Sequence, residues 1–102
     1  SGGLNHVATV LSELVEELDA ERLLILADKI QENSWLQRLG YILDQLETMV
    51  PEKTKELSEK IESYLKNKMK VFVPLASEIP RSGFPRVKKW MIIANTTIES
   101  DL

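Results

Sequence analysis

The sequence predicts one α+β domain, in which four helices precede a small antiparallel sheet of two or three strands. Apolar residues recur at helical spacing through the first two thirds of the chain, and short β-branched and aromatic segments follow Met69. The length of 102 residues is that of one small domain. We therefore expect residues 4–102 to form a single domain. Residues 1–3, Ser-Gly-Gly, are typical of a cloning scar, which predicts that the chain is an excised piece of a longer protein.

Two helices are predicted at the amino end. The first covers residues 4–18, where an apolar stripe recurs every three or four positions. The second covers residues 20–31, because the Asp19 carboxylate can accept from the first free amides as an N-cap. Since the joint between them is so short, the two helices are expected to pack against each other as a hairpin.

Two further helices are predicted before Met69. Residues 35–46 form the third, and the Ser34 and Gln37 side chains are expected to close a capping box at its start. Gly40 lies inside this helix at a cost of about 1 kcal/mol against alanine, which predicts close approach of another element. The fourth covers residues 52–67 with Pro51 in its first turn. Its narrow apolar stripe is typical of a helix laid over the edge of a domain.

The predicted sheet follows these helices. Residues 71–75 are β-branched and aromatic and form the first strand. Pro74 cannot donate to a ladder, which indicates that this strand lies at the sheet edge or ends there. Proline and glycine interrupt residues 79–86, which are expected to form a loop. Residues 89–95 are more apolar and form the second, better buried strand.

Composition argues against several function classes. The chain has no cysteine and one histidine, His6, so neither a thiolate zinc site nor a histidine cluster is expected. His6 is interpreted as a surface or packing residue, and Glu99 and Asp101 as solvated carboxylates. No phosphate loop, nucleophile elbow or metal motif occurs, so we predict no catalytic residue, no metal and no cofactor. No apolar run is long enough for a membrane span, and a cytoplasmic protein is expected.

Charge is divided unevenly along the chain. The net charge is −3, which argues against nucleic-acid binding by bulk charge alone. Residues 1–50 carry nine acidic and three basic side chains, whereas the second half is basic. Five residues in and beside the predicted loop, here called the basic loop residues, form a candidate interaction surface: Arg81, Phe84, Arg86, Lys88 and Lys89. This surface fits a phosphate or an acidic protein, or else a solvated loop that meets only the acidic helices of its own domain.

The order of helices and strands also resembles a winged-helix DNA-binding domain, in which residues 35–46 would be the recognition helix. That helix is mostly apolar, and it carries Asp44 and Glu47 where phosphates would lie. The winged helix is therefore the disfavoured alternative, and a generic protein-interaction module is a further one.

Two segments of the sequence resemble the C-terminal domain of AbiEi-type antitoxins, which belong to bacterial type IV toxin–antitoxin systems and act in abortive infection. The segments are Gln37-Arg38-Leu39-Gly40-Tyr41-Ile42-Leu43-Asp44 and the closing residues Trp90, Asn95 and Ile98-Glu99-Ser100-Asp101-Leu102. The resemblance covers most of the chain in the right order. Residues 52–68, rich in lysine and glutamate, have no firm counterpart in the family.

The resemblance implies a transcriptional regulator. In such antitoxins an N-terminal winged-helix domain, which this sequence lacks, binds operator DNA. The C-terminal domain counters a toxin of the nucleotidyltransferase class without needing a stable complex, and it contributes to operator repression. The isolated domain is expected to bind duplex DNA weakly or not at all.

The residues that carry the resemblance are interpreted as structural. Gly40 allows a neighbour to approach, and Leu39 fills the core. Arg38 is expected to bind carbonyls at a strand end or the carboxylates of Glu99 and Asp101.

Overall fold

Three helices and three short strands follow one another in the computed structural model, which describes residues 18–47 and 51–98. The helices are α1 (Ala20–Ile30), α2 (Ser34–Leu46) and α3 (Pro51–Leu65), and the strands are β1 (Val73–Pro74), β2 (Arg86–Val87) and β3 (Ile92–Ile93). Residues 4–17 of the predicted first helix lie outside the described residues.

The predicted arrangement of four helices and an antiparallel sheet is wrong, although the chain is a small α+β protein. The described residues contain three helices, and their sheet is mixed, with the strand order β1-β3-β2. β1 runs parallel to β3, with Val73 opposite Ile92, whereas β2 pairs antiparallel with β3. A parallel pair needs a long crossover. The stretch between β1 and β3 supplies it and carries β2 to the far side of β3.

α1 begins as the sequence predicts. The Asp19 Oδ1 atom accepts hydrogen bonds from the backbone amides of Glu21 at 3.0 Å and Arg22 at 3.3 Å, which confirms Asp19 as the N-cap. The helix ends at Gln31, whose φ of 57° turns the chain out of the helix.

The start of α2 differs from the predicted capping box. Its N-cap is Asn33, which makes no side-chain capping bond, and the Ser34 amide donates to Glu32 Oε1 at 2.6 Å. The Gln37 side chain points into the protein instead, where its amide donates to backbone carbonyls. A buried carbonyl without a hydrogen-bond partner lowers stability more than unpaired amides at an exposed helix start, because water can bind those amides.

α3 is central, and the prediction that it lies over the domain edge is wrong. It packs against both α2 and α1. Thr54 and Ser58 are buried beside the apolar stripe, and they widen the face that the helix presents to the core. Hydroxyl side chains read as polar in a sequence, so the stripe looks narrower than it is.

The strands are shorter than predicted. β1 is an outer strand, which confirms the edge position of Pro74. Residues 88–91 form a turn in which Met91 has a φ of 48°, so Trp90 lies in a turn and not in a strand. The core between the helices and the sheet is aliphatic around this one indole, and its largest fully buried side chains include Trp90, Leu36, Leu43, Leu46, Leu57, Ile61, Leu65 and Ile92.

Candidate functional site

The two family-like segments meet where α2 packs on the turn of residues 88–91. Gln37, which is 3% exposed, donates through Nε2 to the carbonyls of Trp90 at 3.0 Å and Met91 at 3.2 Å. The Val71 carbonyl lies 3.4 Å from the same nitrogen. The side-chain amide of Gln37 therefore connects α2 both to the turn of residues 88–91 and to the segment just before β1.

Gly40 lies one helical turn further along α2, directly under the Trp90 indole. A Cβ atom at this position would lie 2.6 Å from Cη2 of Trp90 and closer still to Cζ3 and Cε3. Trp90 is fully buried. The close approach predicted at Gly40 is thereby confirmed, and its partner is an aromatic ring of the same family-like pattern.

Asp44 completes the same face of α2. Its Oδ2 atom accepts from Trp90 Nε1 at 2.8 Å and from Lys89 Nζ at 2.8 Å. The hydrogen bond to Asp44 raises the pKa of Lys89 above its usual value, and this outweighs the opposing effect of burial. Lys89 is thus held as a cation beside the indole, with Nζ 5.3 Å from the Trp90 ring centroid.

The other residues of the first segment are structural in different ways. Arg38 Nε donates to the Pro74 carbonyl at 2.9 Å, which is the strand-end contact predicted for it. Leu39 and Tyr41 are partly buried against the core, and burial raises the pKa of the Tyr41 phenol. Glu99 and Asp101 lie outside the described residues.

Asn95 holds the start of the basic loop. Its Oδ1 accepts from the Ala76 amide at 2.9 Å, and its Nδ2 donates to the carbonyls of Ala76 at 2.8 Å and Ile79 at 3.0 Å. The side chain is 2% exposed. At the other end of the loop, the Ala94 amide donates to the Pro85 carbonyl at 2.9 Å. The loop is therefore fixed at both ends by β3 and the residues after it.

The basic loop residues divide into two kinds. Arg81, Phe84, Arg86 and Lys88 are exposed, and the Arg86 guanidinium stacks 5.3 Å from the Phe72 ring centroid. Lys89 is half-exposed but is neutralised by Asp44. Four of the five residues are thus accessible, and the fifth belongs to the structural contact with α2.

Asp44 was missed as a site residue by the sequence interpretation, which quoted it at the end of the first family-like segment and gave it no role beyond a charge that would repel phosphate. Gln37, Gly40 and Asp44 follow one another at spacings of three and four residues, so they share one face of a helix. This spacing is the signal in the sequence that could have placed all three against one neighbour.

Metal-ligating side chains do not cluster in the described residues. These residues contain no group of three or more histidine, cysteine or carboxylate side chains that could hold a metal ion. Among them, no helix combines the length and the apolar character needed to cross a bilayer. What the arrangement can do is to present an exposed, positively charged loop on a fixed base.

Loss of the Lys89 charge should measurably destabilise the fold. Lys89→Met is expected to lower the free energy of unfolding by up to about 1 kcal/mol, because the pair with Asp44 is only partly exposed. Folding raises the Lys89 pKa, so the contribution is present below the unfolded pKa of about 10.4 and is lost as pH rises through the folded value.

The measurement is urea denaturation of the parent and of Lys89→Met at neutral pH and at a series of pH values rising from pH ~10.5 through the raised folded pKa of Lys89. Lys88→Met is the matched control, because Lys88 is the exposed neighbour and forms no ion pair within the described residues. Equal effects of the two substitutions would show that the Asp44 contact contributes nothing.

Comparison of the chain with protein-family models, with curated proteins and with solved structures finds no match in any of the three. The resemblance to AbiEi-type antitoxins therefore rests on the quoted residues alone and stays a prediction.

Proposed function

We propose that this chain is the C-terminal domain of an AbiEi-type antitoxin, which counters a nucleotidyltransferase-type toxin and assists repression at its operator. One observation carries the proposal: the two family-like segments, far apart in the sequence, form one contact unit. Gln37, Gly40 and Asp44 of the first segment all contact residues 89–91 around Trp90 of the second. A family pattern made of structural residues would be expected to form such a unit.

The unit also indicates which residues act. Among the described residues, the side chains that carry the resemblance are buried or partly buried, and Gln37, Asp44, Trp90 and Asn95 are hydrogen-bonded within the domain, so their role is to hold the base of the basic loop. Arg81, Phe84, Arg86 and Lys88 are accessible on that base and would face an anionic target. In the complete regulator this target is the DNA backbone, a nucleic acid shared with the toxin, or an acidic partner surface.

The winged-helix alternative has less support. A recognition helix must offer polar side chains to base edges. On α2, the Gln37 amide and the Arg38 Nε are already bonded to backbone carbonyls, and Asp44 is bonded to Trp90 and Lys89. We therefore expect no submicromolar, sequence-dependent binding of duplex DNA by this chain in fluorescence anisotropy, and such binding would favour the winged helix instead.

The test of the proposal is rescue of bacterial growth. The proposal requires a nucleotidyltransferase gene next to the complete reading frame that encodes this chain, and the lack of such a gene would contradict it. The two genes are expressed together, and growth is compared with that of cells expressing the nucleotidyltransferase alone. We expect growth to be restored. A toxin that remains equally harmful in the presence of the complete protein would contradict the proposal.

The role of the loop is tested in the same cells. Arg81→Glu, Arg86→Glu and Lys88→Glu together should weaken rescue or repression, while thermal melting is nearly unchanged because exposed charges contribute at most about 1 kcal/mol each. The control reverses exposed lysines on the flank of α3, Lys55→Glu with Lys66→Glu, and should rescue like the parent. A triple variant that rescues and represses normally would move the active surface to the acidic helices.

A further inference from the structure

The sheet has two outer edges, and the edge formed by β1 is closed at its centre. Val73 and Leu75 donate to carbonyls of β3, so Pro74, which lies between them, directs its carbonyl away from the sheet. Pro74 has no amide to donate, and its carbonyl already accepts from Arg38 Nε at 2.9 Å. A further strand would therefore find no donor at Pro74 and an acceptor that is already used.

The opposite edge, formed by β2, is open at Arg86. The Ala94 amide donates to the Pro85 carbonyl at 2.9 Å. Arg86 is the next residue and lies opposite Ile93. Because successive residues of a strand direct their backbone groups to opposite sides, Pro85 and Val87 face β3, and the amide and carbonyl of Arg86 point outward. Arg86 is exposed, and among the described residues no hydrogen bond to either group is found outside the sheet.

The side chains beside this edge are basic on one face of the sheet and apolar on the other. Val87 packs partly buried against the core, so Arg86, the residue before it, points to the face away from the helices. There its guanidinium stacks 5.3 Å from the Phe72 ring centroid. Lys88 is exposed as well, and neither basic residue forms an ion pair within the described residues. A strand laid along β2 would thus meet a cation on one face and an apolar side chain on the other.

We propose that β2 binds an extended acidic segment of a partner protein, which joins the sheet as a fourth strand beside Arg86. The backbone of the segment pairs with the outward amide and carbonyl of Arg86, as in other cases of strand addition. A carboxylate at the position opposite Arg86 faces the guanidinium, and the apolar residues on either side of that position lie beside Val87. The expected ligand is therefore a peptide in which acidic and apolar residues alternate.

The same edge disfavours a second copy and a nucleic acid. A two-fold pairing of β2 with β2 of another copy would place Arg86 close to its own counterpart, and like charges on adjacent strands are destabilising. Phosphate oxygens of a nucleic acid could accept from the Arg86 amide, but they offer no donor to its carbonyl. A peptide strand offers both a donor and an acceptor, so it matches both backbone groups of Arg86.

Strand addition at β2 requires only the geometry of this edge and does not depend on the proposed function. If the chain is an antitoxin domain, the anionic target of the basic loop becomes an acidic segment of a protein. Growth rescue and peptide binding are measured separately, so the failure of one leaves the other standing.

The probe is the peptide acetyl-Ser-Glu-Val-Glu-Val-Glu-Ser-amide, which has carboxylates on one face of a strand and valines on the other. It is titrated into the isotope-labelled complete chain and followed by NMR. We expect the amide signals of Arg86 and its neighbours to shift with a Kd of about 1 mM or below at low salt. At saturation the Arg86 amide should exchange several-fold more slowly, because a peptide carbonyl accepts from it. The same peptide, N-methylated at its central residues, keeps its charge but cannot donate, and should bind about ten-fold more weakly.

A change of charge at the edge identifies the residue that selects the peptide. Arg86→Glu should lose the acidic peptide and bind the peptide in which lysine replaces each glutamate. Lys55→Glu, which changes the charge of the chain equally on the exposed flank of α3, should bind the acidic peptide like the parent.

Four results would overturn the proposal, and none of them requires a variant to fold. They are an absence of shifts at Arg86 up to about 5 mM peptide, equal binding of the N-methylated peptide, and larger shifts of the same amides by a DNA oligonucleotide of equal charge. The fourth is an Arg86 amide that is already protected from exchange in the free chain, which would show that the edge is covered by the chain itself.

Discussion

Gly40→Leu is expected to lower the free energy of unfolding by about 3 kcal/mol, at the upper end of the usual cost of overpacking. The first added carbon would already overlap the six-membered ring of Trp90. The indole cannot move aside cheaply, because it is fully buried and its Nε1 is bonded to Asp44. The gain in helix propensity, about 1 kcal/mol at most, is too small to offset this clash.

The measurement is urea or thermal denaturation of a double-mutant cycle with Trp90→Phe. A smaller ring leaves space above α2, so Gly40→Ala should cost less in the Trp90→Phe background than in the parent. Equal costs in the two backgrounds would show that Trp90 is not what excludes a side chain at position 40, and a functional reason for the glycine would then gain support.

Local signals predicted the start of α1, because a helix start depends on its own unpaired backbone amides, which the Asp19 side chain accepts from. The predicted range of α2 is close to the observed one, although the capping box on which its start was based does not form. The close approach at Gly40 was predictable for a similar reason, since a glycine inside a helix has a cost that needs an explanation. Its partner was not predictable, because Trp90 lies fifty residues away in the sequence.

Non-local pairing explains what the sequence did not predict. β2 has two residues, and it exists because β3 offers a free edge to it. The parallel pair of β1 and β3 likewise depends on how the whole crossover folds, and no residue pattern within it encodes the order β1-β3-β2. The predicted strand around Trp90 is a turn in the structure. Met91 has a positive φ there, and the carbonyls of Trp90 and Met91 accept from Gln37 instead of from a neighbouring strand.

Some contacts of the candidate site were likewise predictable from local sequence, and others were not. A structural role for the family-like residues was predicted from their type, and the strand-end contact of Arg38 follows from its guanidinium. The part played by Gln37 was not predictable from capping rules. The Gln37 side chain could either close a capping box at the start of α2 or donate to distant backbone carbonyls. In the folded chain it donates to the carbonyls of Val71, Trp90 and Met91, because these buried acceptors would otherwise lack a partner.

Asn95→Asp is expected to destabilise the protein by about 3 kcal/mol at neutral pH, as breaking a buried polar network usually does. The two Nδ2 hydrogen bonds to Ala76 and Ile79 are lost, and a carboxylate oxygen is placed against the two carbonyl oxygens. Asn95→Ala should cost about 1–3 kcal/mol, because it leaves the Ala76 amide without its acceptor.

The pH dependence of the destabilisation by Asn95→Asp shows how much of it is due to the negative charge and how much to the lost Nδ2 hydrogen bonds. Burial opposite two carbonyls raises the folded pKa of the new aspartate, so its protonated form favours folding, and that contribution is lost as pH rises through the folded value. The cost of Asn95→Asp should therefore be smaller near pH ~4 than at pH ~7 in urea denaturation. Asn33→Ala is the control, since Asn33 makes one bond, to the Lys68 carbonyl at 3.2 Å, and its loss should cost less than about 1 kcal/mol.

Hydrogen exchange links this residue to the basic loop. In Asn95→Ala the Ala76 amide should exchange faster than in the parent, since its acceptor is removed, whereas Asn95→Asp keeps an oxygen at that position and should protect the amide better. Loss of protection should extend to Ile79, where the loop begins, and leave the amides within α2 unchanged. If Ala76 and Ile79 exchange as in the parent in both variants, the side chain of Asn95 does not hold the loop, and the base on which Arg81 and Arg86 are presented must lie elsewhere.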